Sequence, residues 1–323
     1  MRGLIVICGP TAAGKTALAL DLAERLRSPI LGADSRQIYR EMDIGTAKPT
    51  VEERSRVPHY LVDCWDPREN LTLAVYQAQA QALIQQFHRQ SPGTAGGKMG
   101  VIPLLVGGTG LYIRSIVRGM KIPRVPPQRE LRAKLKTVSQ YERYQWLGQV
   151  DPAASRKIHG NDEARTLRAL EVFYATGKPL SSLQGENPPE YPILMVGVDC
   201  LNDPVGSKGA EDPRDRLTQR IKHRTAAMIE QGLVEEVRGL RDRYGAELPL
   251  LKTLGYDEIG QYLEGQCSLD EAQQHIARHT RQFAKRQRTW FRGDRTIQWV
   301  DSDDPHQWDT VWGWVQLFLQ RLP

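Results

Sequence analysis

The sequence contains few cysteines and no long apolar run. Only four of its 323 residues are cysteine, and these lie far apart without a Cys-x-x-Cys pair. A disulfide framework or a zinc ribbon requires closer or repeated cysteines, so both are disfavoured. No stretch approaches the roughly 20 continuous apolar residues of a membrane-spanning helix, and the apolar run near the N-terminus is too short for a signal peptide. We expect a cytoplasmic protein that does not enter a membrane.

The composition argues against a disordered or fibrous chain. Apolar residues make up 40% and charged residues 25%, which is typical of a globular protein. The length corresponds to roughly two domains, or to one large domain with an insertion. Lysine and arginine number 44 against 38 acidic residues, which gives a net charge of +6. Such an excess favours a polyanionic partner only where the charge is clustered.

A phosphate-binding loop lies close to the N-terminus. Residues 9–16 match the pattern GxxxxGK(S/T), in which glycines let backbone amides turn inward around phosphate oxygens. A strand predicted at 4–8 precedes the loop and a helix predicted at 17–26 follows it, so a chance match is disfavoured. Lys15 would neutralise phosphate charge, and Thr16 would hold a magnesium ion. The candidates for binding a di- or triphosphate are Gly9, Pro10, Thr11, Ala12, Ala13, Gly14, Lys15 and Thr16.

Alternating strands and helices predict an α/β fold. Further strands are predicted at 29–33, 60–63, 101–106 and 193–198, with a long helix at 72–89. This order is typical of a parallel sheet flanked by helices, like that of P-loop NTPases.

The middle of the chain breaks this alternation. A proline-rich segment at 122–127 precedes sequence that is helical throughout from 130 to 175. A glycine-rich surface loop is expected at 91–100 and a polar one at 202–213, with mostly helical sequence after the second. The predicted P-loop-like core comprises residues 1–121 and 191–323, and the predicted all-helical insertion domain comprises residues 122–190.

Loops that follow the predicted strands carry further candidates. Ligands bind at the carboxyl ends of parallel strands, so residues 34–37, the Gly-Gly-Thr-Gly sequence at 107–110 and the phosphate loop should meet there. Asp34 is placed to orient a nucleophile or accept its proton, although a turn or helix-capping aspartate is the commoner role. Thr109 is equally compatible with a simple turn. No acidic residue ends the strand predicted at 101–106, which weakens an ATP-hydrolysing interpretation but leaves a small-molecule kinase open.

A basic stripe marks the C-terminal helical region. Its members recur at spacings of three and four, which places them on one face of a helix. They are Arg278, Arg281, Lys285, Arg288 and Arg292, and Arg286 and Arg295 add charge. Such a stripe is often only solvated, but seven basic residues against one acid favour a nucleic-acid backbone or a polyphosphate. His275 and His279 have the spacing of a metal pair without an evident third ligand, so we assign them to this surface.

These motifs together resemble one enzyme family. Besides the phosphate loop they comprise Asp-Ser-Arg-Gln-Ile-Tyr at 34–39, Met-Asp-Ile-Gly-Thr-Ala-Lys-Pro at 42–49, Gly-Gly-Thr-Gly-Leu-Tyr at 107–112, Leu-Gly-Tyr at 254–256 and Thr-Arg-Gln-Phe-Ala-Lys-Arg-Gln at 280–287. In this order and at these distances they resemble the bacterial tRNA dimethylallyltransferases (tRNA isopentenyltransferases) over nearly the whole chain. The two surface loops depart from the family pattern.

The resemblance implies transfer of a dimethylallyl group from dimethylallyl diphosphate to the exocyclic N6 amine of an adenine, with release of diphosphate and with Mg²⁺ as cofactor. That adenine lies 3′ to the anticodon in tRNAs that read codons beginning with U. The resemblance also implies that Asp34 is the catalytic base and that Thr11 lies beside the reacting carbon. Lys15, Arg224 and Arg220 are implied to assist the diphosphate.

The resemblance further implies the tRNA anticodon stem-loop as partner. The residues carried over to tRNA contact are Asp34, Ser35, Arg36, Gln37, Thr109, Arg165, Arg168, Lys252, Gly255, Tyr256, Arg281, Lys285, Arg286 and Arg288. Splaying a base out of such a loop costs roughly a few kcal/mol. Three other interpretations stay open: a P-loop small-molecule kinase, an isopentenyltransferase for free adenine nucleotides, and an RNA-binding protein whose phosphate loop is only structural. No obligate dimer signature is evident, so we expect a monomer.

Overall fold

The computed structural model of the protein describes residues 2–89, 101–201 and 213–322. Both predicted surface loops fall outside these residues, except that residue 213 begins a helix. The chain forms two compact units. The first comprises Met1–Leu71, Ala78–Ile113 and Glu190–Pro323, and the second comprises Thr72–Gln77 and Arg114–Pro189. Among the described residues, no helix is both long and apolar enough to cross a membrane.

The part of the chain that the structure describes contains eight strands. They are β1 (Leu4–Cys8), β2 (Ile30–Gly32), β3 (His59–Tyr60), β4 (Leu104–Gly107), β5 (Met120–Lys121), β6 (Gly185–Glu186), β7 (Ile193–Asp199) and β8 (Gln298–Asp301). Six of them form one parallel sheet in the first unit, in the order β3-β2-β4-β1-β7-β8. The predicted P-loop-like α/β fold with a parallel sheet is confirmed.

Helices connect and flank these strands. Within the described ranges they are α1 (Lys15–Leu26), α2 (Val51–Arg56), α3 (Leu73–Arg89), α4 (Gly110–Val117), α5 (Arg129–Lys136), α6 (Gln140–Val150), α7 (Pro152–Ser155), α8 (Glu163–Thr176), α9 (Leu180–Leu183), α10 (Pro213–Glu230), α11 (Leu233–Tyr244), α12 (Tyr256–Leu263), α13 (Leu269–Arg292) and α14 (Gln307–Gln320). A short 3-10 helix covers Pro249–Lys252.

The core of the first unit is centred on β1. This strand lies between β4 and β7, where Ile5 is opposite Leu104 on one side and Leu194 on the other. Every residue of β1 is fully buried. A parallel strand covered on both faces needs a continuous apolar run, which is the pattern by which the sequence predicted it.

The strand β8 was missing from the sequence prediction, which assigned mostly helix to the end of the chain. It pairs in parallel with β7, and Val198 is opposite Val300. Only Val300 and Asp301 of its four residues are buried. An apolar run this short does not distinguish a strand from a loop. The position of β8 in the sheet depends on its pairing with β7.

The tryptophan-rich tail forms α14 and completes the hydrophobic core. Val311 and Val315 are fully buried. Trp308 and Trp312 stack with their ring centroids 6.1 Å apart. The guanidinium of Arg25, on α1, lies 4.2 Å from the centroid of the Trp312 ring, a cation–π contact. The tail is therefore a structural element of the first unit.

The second unit is helical apart from a two-stranded antiparallel ribbon of β5 and β6. It is wider than the predicted insertion at 122–190, because it begins at Arg114 and includes Thr72–Gln77. Its core contains Glu171, which accepts hydrogen bonds from Arg132 and Arg168, each at 2.7 Å. Burial alone would raise the pKa of Glu171, but these partners and a backbone N–H lower it to about 2.

Candidate active site

A cavity of about 570 Å³ lies in the first unit, where the loops after three parallel strands meet. Its lining includes phosphate-loop residues that follow β1, residues 34–37 that follow β2, and residues 107–109 at the end of β4. Residues 45–47, residues 252–255 and side chains from α10, α12 and α13 contribute further parts of the wall. The structure thus brings together loops that are far apart in sequence.

The phosphate loop is held in a conformation that requires glycine. Gly9 has φ +140, and a Cβ atom there would lie 2.1 Å from the Val198 carbonyl oxygen. Gly14 has φ +86 and directly precedes α1, whose first residue is Lys15. Because the N-terminus of a helix has unpaired N–H groups and the positive end of its dipole, this loop is suited to bind an anion.

Two neighbouring cations, Lys15 and Arg224, line the cavity. The ammonium group of Lys15 donates to the Pro10 carbonyl at 2.6 Å. Burial lowers the pKa of Lys15 to about 8; the neighbouring Arg224 contributes to the decrease, and Asp34 opposes it. Burial also lowers the pKa of Arg224, although arginine stays charged in proteins. An anionic ligand between Lys15 and Arg224 would relieve their repulsion.

The structure places the two predicted diphosphate-binding arginines differently. Arg224 lines the cavity, and its Nη1 lies 3.4 Å from the Thr11 hydroxyl. Arg220, one turn earlier on α10, donates from Nη1 to the Ser302 hydroxyl at 2.9 Å and forms an ion pair with Asp303. Arg220 therefore lies beside β8 and is absent from the described lining of the cavity.

Asp34 lines the cavity with one carboxylate oxygen engaged. Its Oδ1 accepts hydrogen bonds from the backbone N–H of Arg36 at 2.8 Å and of Gln37 at 3.4 Å. Among the described residues, Oδ2 has no hydrogen-bond partner. One oxygen thus holds the turn after β2, and the other is left to accept a proton or a hydrogen bond from a ligand.

Thr109 secures the same turn. Its hydroxyl accepts a hydrogen bond from the Ser35 N–H at 3.0 Å, and its own N–H donates to the Ala33 carbonyl at 3.0 Å. The side chain of Gln37 in turn donates to the carbonyls of Thr46 and Ala47, at 3.1 and 2.9 Å. Thr109 and Gln37 therefore position the cavity wall as well as lining it.

Sequence analysis missed Glu236, on α11. One of its oxygens accepts from the backbone N–H of Asp43 at 3.0 Å and of Ile44 at 2.7 Å. The other accepts from the Gly45 N–H at 3.1 Å and from the Tyr256 hydroxyl at 2.7 Å. A single carboxylate thereby fixes the loop that continues into the cavity wall. No local sequence signal marks Glu236, since its loop partners lie more than 190 positions away.

Glu236→Ala is expected to loosen this loop. Three backbone N–H groups lose an ionised acceptor, and hydrogen bonds to charged groups contribute roughly 1.5–3 kcal/mol. Amide hydrogen exchange in a fragment covering residues 42–49 should therefore accelerate about tenfold or more. The exposed neighbour Glu235 provides the matched control, and Glu235→Ala should leave exchange unchanged. Equal exchange in both variants would show that Glu236 does not hold the loop.

Helix α13 presents the predicted basic stripe, with one correction. Arg288 donates through Nε and Nη2 to the fully buried carboxylate of Asp199, at 2.8 and 2.6 Å. A buried carboxylate needs such a partner, so the structure commits Arg288 to an internal ion pair. The exposed cations of this helix are Arg278, Arg281, Lys285, Arg286 and Arg292, of which Arg286 also lines the cavity.

Residues 252–256 form part of the cavity wall and pack against the loop that contains Gly45. Lys252 is exposed at the cavity wall, but the buried Tyr256 ring leaves no room for a side chain at Gly45. His279 lines the cavity as well, and its Nδ1 lies 2.6 Å from Glu258 Oε1. His279 is thus paired with a buried carboxylate on α12 and is more than a member of the basic surface.

Two predicted tRNA-binding residues belong to the second unit. Arg168 binds the buried Glu171 and is needed inside that unit. Arg165 is two-thirds exposed, and its only ion pair among the described residues is with Asp162 at 3.4 Å. Of the two, Arg165 is the one available to an external partner.

The residues present fit a magnesium ion that binds together with a phosphorylated ligand. Magnesium prefers oxygen ligands and is held largely by substrate phosphates, waters and one or two protein oxygens. Thr16, the second residue of α1, lines the cavity with Lys15 and Asp34. The described residues contain no cluster of three His, Cys, Asp or Glu side chains that could hold a metal by itself.

Fold and site together define a P-loop-like α/β protein whose cavity is lined by the GxxxxGK(S/T) loop and by the basic helix α13. Comparison with known proteins identifies a family within this class. The chain belongs to the IPP transferase family, whose model matches residues 37–294.

Relatives and solved structures agree with this family. The tRNA dimethylallyltransferases of Acaryochloris marina and Synechocystis sp. are each 58% identical, with 97% of this chain aligned to 97% and 96% of theirs. The crystal structure of a tRNA isopentenylpyrophosphate transferase from Bacillus halodurans is 33% identical and has a TM-score of 0.70, covering 99% of this chain and 97% of that one. A eukaryotic dimethylallyltransferase acting on tRNA has a TM-score of 0.79 at 25% identity, covering all of this chain and 81% of that one.

Proposed function

We propose that this protein is a tRNA dimethylallyltransferase, which transfers a dimethylallyl group from dimethylallyl diphosphate to the N6 amine of an adenine in tRNA. The observation that carries the proposal is a cavity with cations at one end, an available carboxylate oxygen on its wall and exposed cations of α13 nearby. The names of the relatives described above support the same reaction.

The reaction forms an N6–C1 bond and breaks the bond between C1 and the diphosphate oxygen. The electron pair of the broken bond leaves with the diphosphate, and the N6 proton passes to Asp34 Oδ2. An aromatic exocyclic amine is a weak nucleophile because its lone pair is delocalised, so a nearby base is needed. Thr11, whose hydroxyl lies beside Arg224, is proposed to lie next to the reacting carbon.

The diphosphate is proposed to bind at residues 9–16. Lys15 and Arg224 stabilise the negative charge that develops on the leaving group, which is the largest electrostatic change in the reaction. Magnesium, when bound, supplies additional charge neutralisation, and Thr16 is the protein residue that would hold it. Arg220 pairs with Asp303 but shares a second depression with Ala12, Gly14 and Arg224, so it stays a further candidate for the diphosphate.

The acceptor is proposed to be the adenine 3′ to the anticodon, in tRNAs that read codons beginning with U. The base enters the cavity beside residues 34–37, while Arg281, Lys285 and Arg286 bind the tRNA backbone. Arg165 is the additional candidate in the second unit. The protein would act as a cytoplasmic monomer. A small-molecule kinase or a free-nucleotide isopentenyltransferase would use the same phosphate loop but leave the basic face of α13 without a ligand.

The position of the acceptor base can be tested with two anticodon stem-loops. One contains adenine directly 3′ to an anticodon that reads a U-initial codon, and the other contains guanine at that position. With labelled dimethylallyl diphosphate and magnesium, label should enter the first only, as N6-dimethylallyladenosine after digestion. Equal labelling of both stem-loops would contradict the proposed acceptor position.

The pKa of Lys15 predicts a pH dependence of diphosphate binding. In the free protein, Lys15 is charged below about pH 8 and loses its charge above it. Because a bound anion favours the charged form, affinity for inorganic diphosphate should fall as pH rises from about 8 to 9.5, by up to about tenfold per pH unit. Calorimetry can measure this affinity. Lys15→Arg stays charged over this range, so the same fall in that variant would contradict the assignment.

A further inference from the structure

Gln287, on α13, connects two of the cavity loops through one buried side chain. Only 6% of the residue is exposed. Its Oε1 accepts a hydrogen bond from the Thr11 N–H at 2.9 Å, and its Nε2 donates to the Gly108 carbonyl at 2.9 Å. The amide therefore joins the phosphate loop to the loop after β4, across 276 and 179 positions of sequence.

The fit around this amide is tight. A Cβ atom at Gly108 would lie 2.4 Å from Gln287 Nε2, so a glycine at that position lets the two groups approach. The next residue, Arg288, is anchored to Asp199 at the end of β7. The consecutive side chains of Gln287 and Arg288 thus attach α13 to the carboxyl ends of the strands. This segment of the helix therefore has little freedom to move relative to the phosphate loop.

We propose that Gln287 is a positioning residue for the transfer reaction. It fixes the Thr11 peptide and the Gly108 carbonyl at a set separation, so that Thr11, and Arg224 beside the Thr11 hydroxyl, are held in place for the donor. This proposal rests on the proposed function. Because both hydrogen bonds go to the protein backbone, Gln287 would act on the reaction through Thr11 and Gly108. This role requires both a donor and an acceptor on the side chain, which an amide provides.

Two variants separate the hydrogen bonds from packing. Gln287→Leu keeps much of the side-chain volume and removes both hydrogen bonds. It should lower kcat by about 10–100-fold and leave tRNA affinity within about twofold, since small misplacements near a reacting centre have effects of this size.

Gln287→Glu keeps the acceptor for the Thr11 N–H. Its carboxylate would repel the Gly108 carbonyl, but a protonated carboxyl would donate to it. The rate of Gln287→Glu relative to wild type should therefore recover between about pH 8.5 and 6.

Controls make this pH readout specific. The same charged and imidazole side chains line the cavity in wild type and in the variants, so each rate is divided by the wild-type rate at that pH. They are Lys15, Asp34, Arg36, His59, Arg224, Lys252, Asp257, Glu258, His279 and Arg286. Gln287→Leu should show no recovery at low pH. Gln316→Leu, the same change on the exposed face of α14, should leave kcat unchanged.

Failure of this proposal is distinguishable from failure of the proposed function. A wild-type kcat in Gln287→Leu, or equal deficits in both variants at every pH, would overturn the positioning role. If wild type itself did not modify tRNA, the proposed function would fail. Affinity for inorganic diphosphate then remains as a test: weaker binding by Gln287→Leu supports the positioning of the phosphate loop, and unchanged binding overturns it.

Discussion

Asp34→Asn is expected to lower the rate of prenyl transfer by about 10²–10⁴-fold while tRNA affinity stays within about twofold. The asparagine oxygen can still accept from the Arg36 and Gln37 N–H groups, so the turn after β2 is kept. The amide cannot take a proton from N6, so only the base is lost. Single-turnover rates with labelled donor, together with filter binding of tRNA, measure the two quantities separately.

The control for this substitution lies on α14. Asp309→Asn makes the same chemical change at an exposed position outside the cavity, and its transfer rate should equal that of wild type. A near wild-type rate in Asp34→Asn would mean that another group accepts the proton. A parallel loss of tRNA affinity would instead indicate that Asp34 acts through binding.

Replacing Arg281, Lys285 and Arg286 together by glutamine is expected to weaken tRNA binding by about 10–100-fold near 0.1 M salt. All three side chains are exposed on α13. Each phosphate contact contributes roughly 0.7–0.9 to the slope of log affinity against log salt concentration, so the slope should decrease by about 2–3. Binding titrations at several salt concentrations measure this slope.

A second triple variant removes the same charge elsewhere. Arg2, Arg89 and Arg321 are exposed near the amino end of β1, where His88 contacts the Gly3 carbonyl and Leu322 packs beside Gly3. Replacing these three by glutamine should change the salt slope little, because the cavity lies at the other end of the strands. An equal decrease in both triple variants would show that the effect depends on net charge and that α13 is not the tRNA-binding surface.

Local sequence patterns predicted the part of the fold nearest the phosphate loop. The strand β1 is a continuous apolar run, and the glycine spacing of residues 9–16 fixes a strand–loop–helix order. Both signals lie within a few residues of each other, so no knowledge of tertiary contacts is needed to recognise them. By contrast, β8 has only two buried residues and depends on β7 for its place in the sheet.

The positioning residues of the site could not be predicted in this way. Glu236 and Gln287 act on loops 191–193 and 179–276 positions away, and no spacing rule relates such distances. The basic stripe illustrates the same limit. Helical periodicity predicts that Arg288 shares a face with Arg281 and Lys285, but not that the buried Asp199 engages its guanidinium. Periodicity identifies the face of a helix, whereas the role of each residue depends on what packs against it.

The most direct test of the proposed function is transfer of label from dimethylallyl diphosphate, with magnesium, to three acceptors in parallel. These are unmodified tRNA with an A-rich anticodon loop, free AMP and free ATP. We predict label in the tRNA alone, located after digestion on N6 of the adenine next to the anticodon. Label in AMP or ATP and none in tRNA would contradict the account and identify a free-nucleotide isopentenyltransferase.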